Sequence, residues 1–363
     1  MTFKNNKALK ILDAIFGPLL ISLIRFIYAS KNTVGNINRI IIIRPGGIGD
    51  AVLLLPAIQT LKENLPGTSI DILAEKRNAD IFRLSNSINK IYLYDRGFDI
   101  FRCLKNKYNV VIDTEQWHRL SAVVAYLTKA PVRIGFATNE RERLFTHKIP
   151  YSHSDYEVYS FLNLIGPLLG PAGDFNPDEP FIRVPENINS WAKNTIEAQR
   201  QDVVTIFTGA SVMEKRWGTD RFAELSMRLS NDGYKVILIG GKAELRDSER
   251  IVLINSRVLD LVGRTDLLKT TAVIANSSAL ITADSGIMHI AYGVGTPTVC
   301  LFGSSIEEKW APRDKRHVTI NRHLPCSPCT KFGYTPRCKT GVRCLKEISV
   351  DDVYDSLLIS LQR

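Results

Sequence analysis

Several large classes of protein are excluded by what this sequence lacks. Among its 363 residues the apolar stretch near the start, Ala14–Ile24, runs to only 11 uncharged residues, against roughly 20 needed to cross a bilayer. Gly17-Pro18 interrupts it and no A-x-A-like site follows, so neither a transmembrane span nor a cleaved signal peptide is expected. Cysteine is scarce at six residues; with no export signal that usage points to a reducing cytosol. Glycine loops are present but no G-K-[ST]: Gly240-Gly241-Lys242 is followed by Ala243, which argues against a P-loop. Neither a short internal repeat nor a low-complexity tract occurs.

What is present is ordinary globular material, 45% hydrophobic and 23% charged, enough for two buried cores. The formal charge of +10 favours anionic partners: nucleic acid, acidic lipid or phosphorylated small molecules. In the first thirty residues Leu9, Leu12, Ile15, Phe16, Leu19, Leu20, Leu23, Ile24 and Ile27 recur at helical spacing, flanked by Lys4, Lys7, Lys10 and Arg25. That pattern fits an amphipathic segment on an anionic membrane surface, or equally a helix packed on the protein body.

Strand patterns at Arg39–Arg44, Ser69–Ala74, Lys90–Tyr94, Asn109–Asp113 and Val132–Ile134 alternate with helical ones such as Ala51–Asn64 and Arg119–Leu127. The strands are apolar throughout, as strands covered on both faces are. Pro167–Pro180 reads as a linker. The pattern restarts with strands at Val203–Thr208, Lys235–Ile239, Ala279–Thr282 and Thr298–Phe302 and helices at Asp220–Leu229 and Glu244–Ile254, then fails beyond Gly303 until a last helix, Val350–Leu361. Two doubly wound α/β domains facing a cleft are expected, with ligands beyond the carboxyl ends of the strands. The divisions are 1–37, an amphipathic, membrane-proximal segment; 38–175, the first domain; 176–349, the second with a cysteine-rich tail; and 350–363, a terminal helix.

Two loops carry candidate chemistry. Arg44-Pro45-Gly46-Gly47-Ile48-Gly49-Asp50 leads from the first strand into the first helix. Its glycines Gly46, Gly47 and Gly49 permit close backbone approach, and the helix start attracts negative charge. Gly47 and Gly49, with Glu75 as ribose acid, also partly match a dinucleotide fingerprint, but Val52 stands where its third glycine belongs. Asp50 is either a helix cap or a carboxylate placed to take a proton from a substrate hydroxyl. The second loop, Asp284-Ser285-Gly286-Ile287-Met288-His289, follows a strand. Ser285 suits an N-cap, Asp284 suits sugar hydroxyls, and His289 returns to the Ser285 face of the helix. Upstream, Ser211, Lys215 and Arg216 follow another strand and suit a pyrophosphate, the two cations being otherwise a solvated surface pair, while Glu244 suits a ribose or is simply an acid at a helix start.

In these places the sequence resembles the glycosyltransferase family 9 enzymes, the ADP-heptose:lipopolysaccharide heptosyltransferases. The motifs are IIIRPGGIGDAVLLLPAIQTLK, GASVMEKRW, ITADSGIMHIAYGVGTPTVCLFG and a cysteine tail followed by ISVDDV, covering roughly residues 38–363. The resemblance implies a GT-B fold, the first domain for the acceptor and the second for a nucleotide sugar. It implies inverting transfer with no obligatory metal, an ADP-sugar donor, an anionic glycolipid acceptor of lipopolysaccharide-core type, and residence on the cytoplasmic face of the inner membrane without nucleic acid. By position, Asp50 would be the base, Ser211 and Lys215 would hold donor phosphates, Glu244 the ribose and Asp284 the sugar. Ser285, Gly286 and His289 would complete the pyrophosphate site. Arg119, on charge and position alone, is the candidate for an anionic acceptor. No D-x-D pair accompanies the phosphate loop, consistent with side-chain cations in place of Mg²⁺. A different nucleotide sugar, or a non-transferase dinucleotide binder, is the alternative.

Cys326-x2-Cys329-x8-Cys338-x5-Cys344 could hold a structural zinc, or be free thiols or reversible disulfides in a flap. Cys103 and Cys300 read as small buried hydrophobes. A basic nucleic-acid binder has the charge but no binding module.

Overall fold

The computed structural model of the chain describes residues 13, 16–19, 21–22, 36–171, 175–196, 202–331 and 334–362. It divides into two compact units, Met1–Phe175 and Asn176–Arg363. The expectation for residues 1–12 and 23–35 of the N-terminal segment lies outside the described residues.

The first unit holds β1 (Arg39–Arg44), β2 (Ser69–Ala74), β3 (Lys90–Leu93), β4 (Val110–Asp113), β5 (Val132–Phe136) and β6 (His147–Ile149), all parallel, in the order β3-β2-β1-β4-β5-β6. Alternate residues of one strand face opposite layers. Ile41, Ile43, Leu73 and Val111 therefore pack with Cys103, Ala122 and Tyr126 of two covering helices. Ile42 and Ile112 meet Leu54, Ile58, Phe161 and Leu164 of the helices Ile48–Asn64 and Glu157–Leu169 on the other side. Each such side chain contributes about 1.5–3 kcal/mol on full burial, which explains the uninterrupted IIII of β1.

The second unit repeats the plan. Its strands β7 (Val203–Phe207), β8 (Lys235–Ile239), β9 (Leu259–Asp260), β10 (Ala279–Ala283), β11 (Thr298–Phe302) and β12 (His317–Asn321) are again parallel, in the order β12-β11-β10-β7-β8-β9. Counted from its first strand, each sheet thus reads 3-2-1-4-5-6. The strand order reverses between β1 and β4 and again between β7 and β10, and ligands in such sheets bind at that reversal.

Three short strands were not foreseen. β6, β9 and β12 are edge strands of three, two and five residues, too short or too polar for an apolar run. The expected linker begins too early, because the helix Glu157–Leu169 runs through Pro167. Proline late in a helix loses one hydrogen bond, and here the apolar burial of Phe161, Leu164 and Ile165 outweighs it.

Within residues 13–22, those described are helical, and this part of the segment packs on the first unit. Ile21 joins the core beside Ile41, and the Asp13 carboxylate accepts the backbone N–H groups of Arg119 and Leu120 at 2.8 and 2.9 Å. Asp13, Gly17 and Ile21 are buried, whereas Phe16 and Leu19 are 57% and 61% exposed. No described helix is long and apolar enough to cross a membrane.

Candidate active site

In the first unit the loops after β1 and β4 meet at the strand reversal. Gly46 has φ +104°, a left-handed conformation that favours glycine, and it turns the chain from β1 into the helix Ile48–Asn64. Asp50 is the third residue of that helix but makes no cap hydrogen bond. Its Oδ1 instead accepts from Gln116 Nε2 at 3.2 Å, and the same Nε2 donates to Glu157 Oε1 at 2.7 Å. Glu157 is fully buried and also accepts from the Tyr151 hydroxyl at 3.0 Å. Burial, then the neighbouring Glu157, pushes the Tyr151 phenol well above its ordinary range, so it remains a donor.

Beneath this group lies Arg44, 2% exposed, donating to Thr114 O at 2.8 Å and 3.5 Å from Glu115. Burial opposes its charge, but the fields of Asp50, Glu115, Glu157 and Asp113 more than restore it. Glu115 is held below its usual range, Arg44 overcoming the cost of burial. Asp113 goes the other way: burial raises its carboxyl despite the 2.5 Å pair with the equally buried Arg141.

In the second unit the loops after β7 and β10 meet at the corresponding reversal. Lys215 Nζ lies 2.6 Å from Asp284 Oδ2, and the Ser305 hydroxyl donates to the same oxygen. Burial alone would raise the Asp284 carboxyl, but Lys215, Ser305 and the charge of His289 bring it below the ordinary range. Ser285 caps the helix Gly286–Val294, accepting from Met288 N–H at 3.4 Å. His289, one turn on, is buried against Trp310, ring centroids 6.3 Å apart. Ser211 lies in the loop after β7, which continues through Lys215. Glu244 is buried; its Oε2 accepts Gly241 N–H at 2.9 Å, and Arg216 lies 3.6 Å from its Oε1. A Cβ on Gly209 would sit 2.5 Å from that Oε1, so glycine there is a packing requirement.

The described Asp284, Ser285, Gly286, His289 and Lys215 are thus brought together, and Glu244 is tied to Arg216 beside them. Arg119 is committed elsewhere: its guanidinium donates to Glu140 at 3.0 and 2.8 Å and lies 3.6 Å from Asp13. Glu75, the acid of the dinucleotide alternative, is bound by the Tyr94 hydroxyl and Arg77. Cys326 is exposed, Cys338 Sγ accepts Val342 N–H at 3.2 Å and contacts Thr340, and Cys344 packs beside Gly303. The four thiols are free, and among the described residues no three His, Cys, Asp or Glu groups are arranged to hold a metal ion. Cys103 and Cys300 are fully buried.

Gln116, Glu157, Tyr151 and Ser305 were missed from sequence. Gln116 and Ser305 do carry a signal: each follows a strand end, β4 or β11, flanking the place where ligands bind. Glu157 and Tyr151 carry none, since nothing local links them to Asp50.

A model of glycosyltransferase family 9 (heptosyltransferase) matches residues 98–338, well over half of the chain. The chain belongs to this family. It is a heptosyltransferase-like glycosyltransferase, and so an enzyme. This family 9 transferase is 28% identical over 290 residues to lipopolysaccharide heptosyltransferase 3 of Escherichia coli K12, spanning 73% of this chain and 82% of that one. It is 24% identical over 305 residues to lipooligosaccharide heptosyltransferase 2 of Haemophilus influenzae, spanning 77% and 88%. The structure of E. coli ADP-heptose lipopolysaccharide heptosyltransferase II superimposes with TM-score 0.74 at 22% identity, covering 89% of this chain and 98% of that one. The fold of the family 9 transferase is therefore the GT-B pairing of two Rossmann-like units.

Proposed function

We propose that this enzyme moves a heptose from an ADP-heptose donor to a glycolipid acceptor of lipopolysaccharide-core type, with inversion at the anomeric carbon and Asp50 as general base. The observation that supports the donor reading is the Lys215–Asp284 pair beside the Ser285-capped helix: a cation and a helix N-terminus together suit a departing diphosphate that gains charge. Among solved structures, E. coli heptosyltransferase WaaC with ADP-2-deoxy-2-fluoro heptose has the same fold, at TM-score 0.68 and 15% identity, covering 88% of this chain and 99% of that one.

The chemistry divides between the units. In the first, Asp50 takes the acceptor hydroxyl proton as that oxygen bonds to the anomeric carbon. In the second, Lys215, Ser211 and the helix beginning at Gly286 hold the diphosphate, which leaves with the electron pair of the broken bond. Glu244 holds the ribose, Asp284 the donor sugar, and His289 the diphosphate from within its helix. The glycines Gly46, Gly47 and Gly49 keep the backbone near Asp50 open. The expected setting is the cytoplasmic face of the inner membrane; the exposed Phe16 and Leu19, on a segment whose other side is buried, support contact with lipid there.

Calorimetric titration with ADP, UDP and NAD⁺, each with EDTA, tests the donor reading. ADP binding that survives EDTA supports it. A preference for UDP keeps the fold and changes the donor; tighter binding of NAD⁺ overturns the transferase assignment of these loops.

A further inference from the structure

We infer that Gln116 is a positioning residue for Asp50: it clamps one oxygen of the carboxylate so that the other is presented to the acceptor hydroxyl. The inference rests on the reading of Asp50 as the base.

The Gln116 amide has a single workable orientation. Its Nε2 faces Asp50 Oδ1 at 3.2 Å and Glu157 Oε1 at 2.7 Å. Two carboxylate oxygens can only accept, so the two N–H donors of one amide satisfy both, and the flipped amide would set three acceptors together. Glu157 cannot drift, because it is fully buried and bound by Tyr151. The Gln116 main chain is equally fixed: its carbonyl accepts from Thr138 Oγ1 at 2.6 Å, and the next two N–H groups, of Trp117 and His118, donate to Glu115 Oε1 at 3.0 and 3.3 Å. Glu115 in turn faces Arg44. A rigid loop after β4 thus delivers one amide to the first turn of the helix after β1.

The consequence falls on Asp50 Oδ2. With Oδ1 engaged, Oδ2 is the oxygen left for proton transfer, and it lies on the side of Gly47, where a Cβ would stand 3.0 Å away. Glycine keeps that approach clear. A hydrogen bond to one oxygen also removes rotation about the Cβ–Cγ bond that the base would otherwise lose on reaching the transition state. The proton of the acceptor hydroxyl goes to Oδ2 as the acceptor oxygen bonds to carbon, and the diphosphate departs.

The test compares Asp50→Asn, Gln116→Met and the double variant, with ADP-heptose as donor and a heptose-deficient lipopolysaccharide core lipid as acceptor. Methionine keeps the length of glutamine without its donors; Gln116→Ser serves the same comparison if methionine is not accommodated. Circular dichroism and Tm verify folding. Gln116→Met is expected to lower kcat about 10- to 100-fold while KM for ADP-heptose stays within about twofold of wild type, since uniform binding is untouched. Added to Asp50→Asn, the same change should lower kcat no further, because residues acting as one unit are not additive. If Asp50→Asn abolishes turnover while folded Gln116→Met turns over like wild type, the positioning role is overturned and the base stands. If Asp50→Asn itself keeps wild-type kcat, the reading beneath the inference fails.

Discussion

Lys215 and Asp284 form an ion pair of 2.6 Å across 69 positions of sequence, joining the loop after β7 to the end of β10. One side chain thereby serves twice. It keeps a buried carboxylate charged, and it sets a cation beside the N-terminus of the helix Gly286–Val294.

Removing that cation should show in two separate measurements. Lys215→Ala leaves Asp284 buried with only Ser305 and the field of His289 to support its charge. A loss of about 3 kcal/mol in urea unfolding is expected, as for other buried pairs broken on one side. ADP affinity measured by calorimetry should fall at least about tenfold. Unchanged ADP binding in a folded Lys215→Ala protein would remove lysine from the donor site.

Gly209→Ala probes the ribose position from behind. The new Cβ would overlap Glu244 Oε1, which also faces Arg216, so the carboxylate must move. Weaker ADP binding with only a modest drop in Tm is expected. Binding equal to wild type would mean that Glu244 does not touch the nucleotide.

Asp13→Ala tests whether the N-terminal segment is part of the first unit. It removes two hydrogen bonds to the start of the helix Arg119–Leu127 and the neighbour of the Arg119 guanidinium. Loss of such a cap costs about 1–2 kcal/mol. The unfolding midpoint in urea reads this, and a midpoint unchanged from wild type would detach the segment from the fold.

His317 predicts a pH dependence. Burial pushes its imidazole down to about 4, with the charge of Asp314 only partly restoring it, while Nδ1 contacts Thr298 Oγ1 at 2.8 Å. The unfolded chain takes up a proton near pH 6.5 and the folded one only near the lower value. Between those limits the unfolded state binds more protons, so stability falls as pH falls, by at most about 1.4 kcal/mol per pH unit from this residue. His317→Asn should flatten the stability profile between pH 6.5 and 4. An identical slope in the variant would refute the assignment.

The sequence was most legible where the chain is most buried. The runs of β1, β2, β7 and β8 can be read from side chains alone, because strands covered on two faces tolerate little else. Asp284 and Ser285 were readable for a different reason: a strand end followed by a capping residue is a local pattern, and the structure keeps it local. Asp50 shows the limit. Its position suggested a cap, yet its partner Gln116 lies 66 positions away and is fixed by Glu157 from a third element. Arg119 shows the same limit in reverse, its guanidinium meeting acids at positions 13 and 140 that no local spacing connects to it. The cysteine tail had ligand-like spacing, but spacing alone did not show that the Cys338 sulfur accepts the Val342 N–H.

The Asp13 carboxylate and the helix it finishes are separated by 106 residues. A chain emerging from the ribosome at about 5–20 residues per second makes the acid first, and holds it without its helix until β1 through β4 have been made. The contact is among the longest-range ties within the first unit, and long-range ties form late. Asp13 is therefore made well before the helix start that it caps.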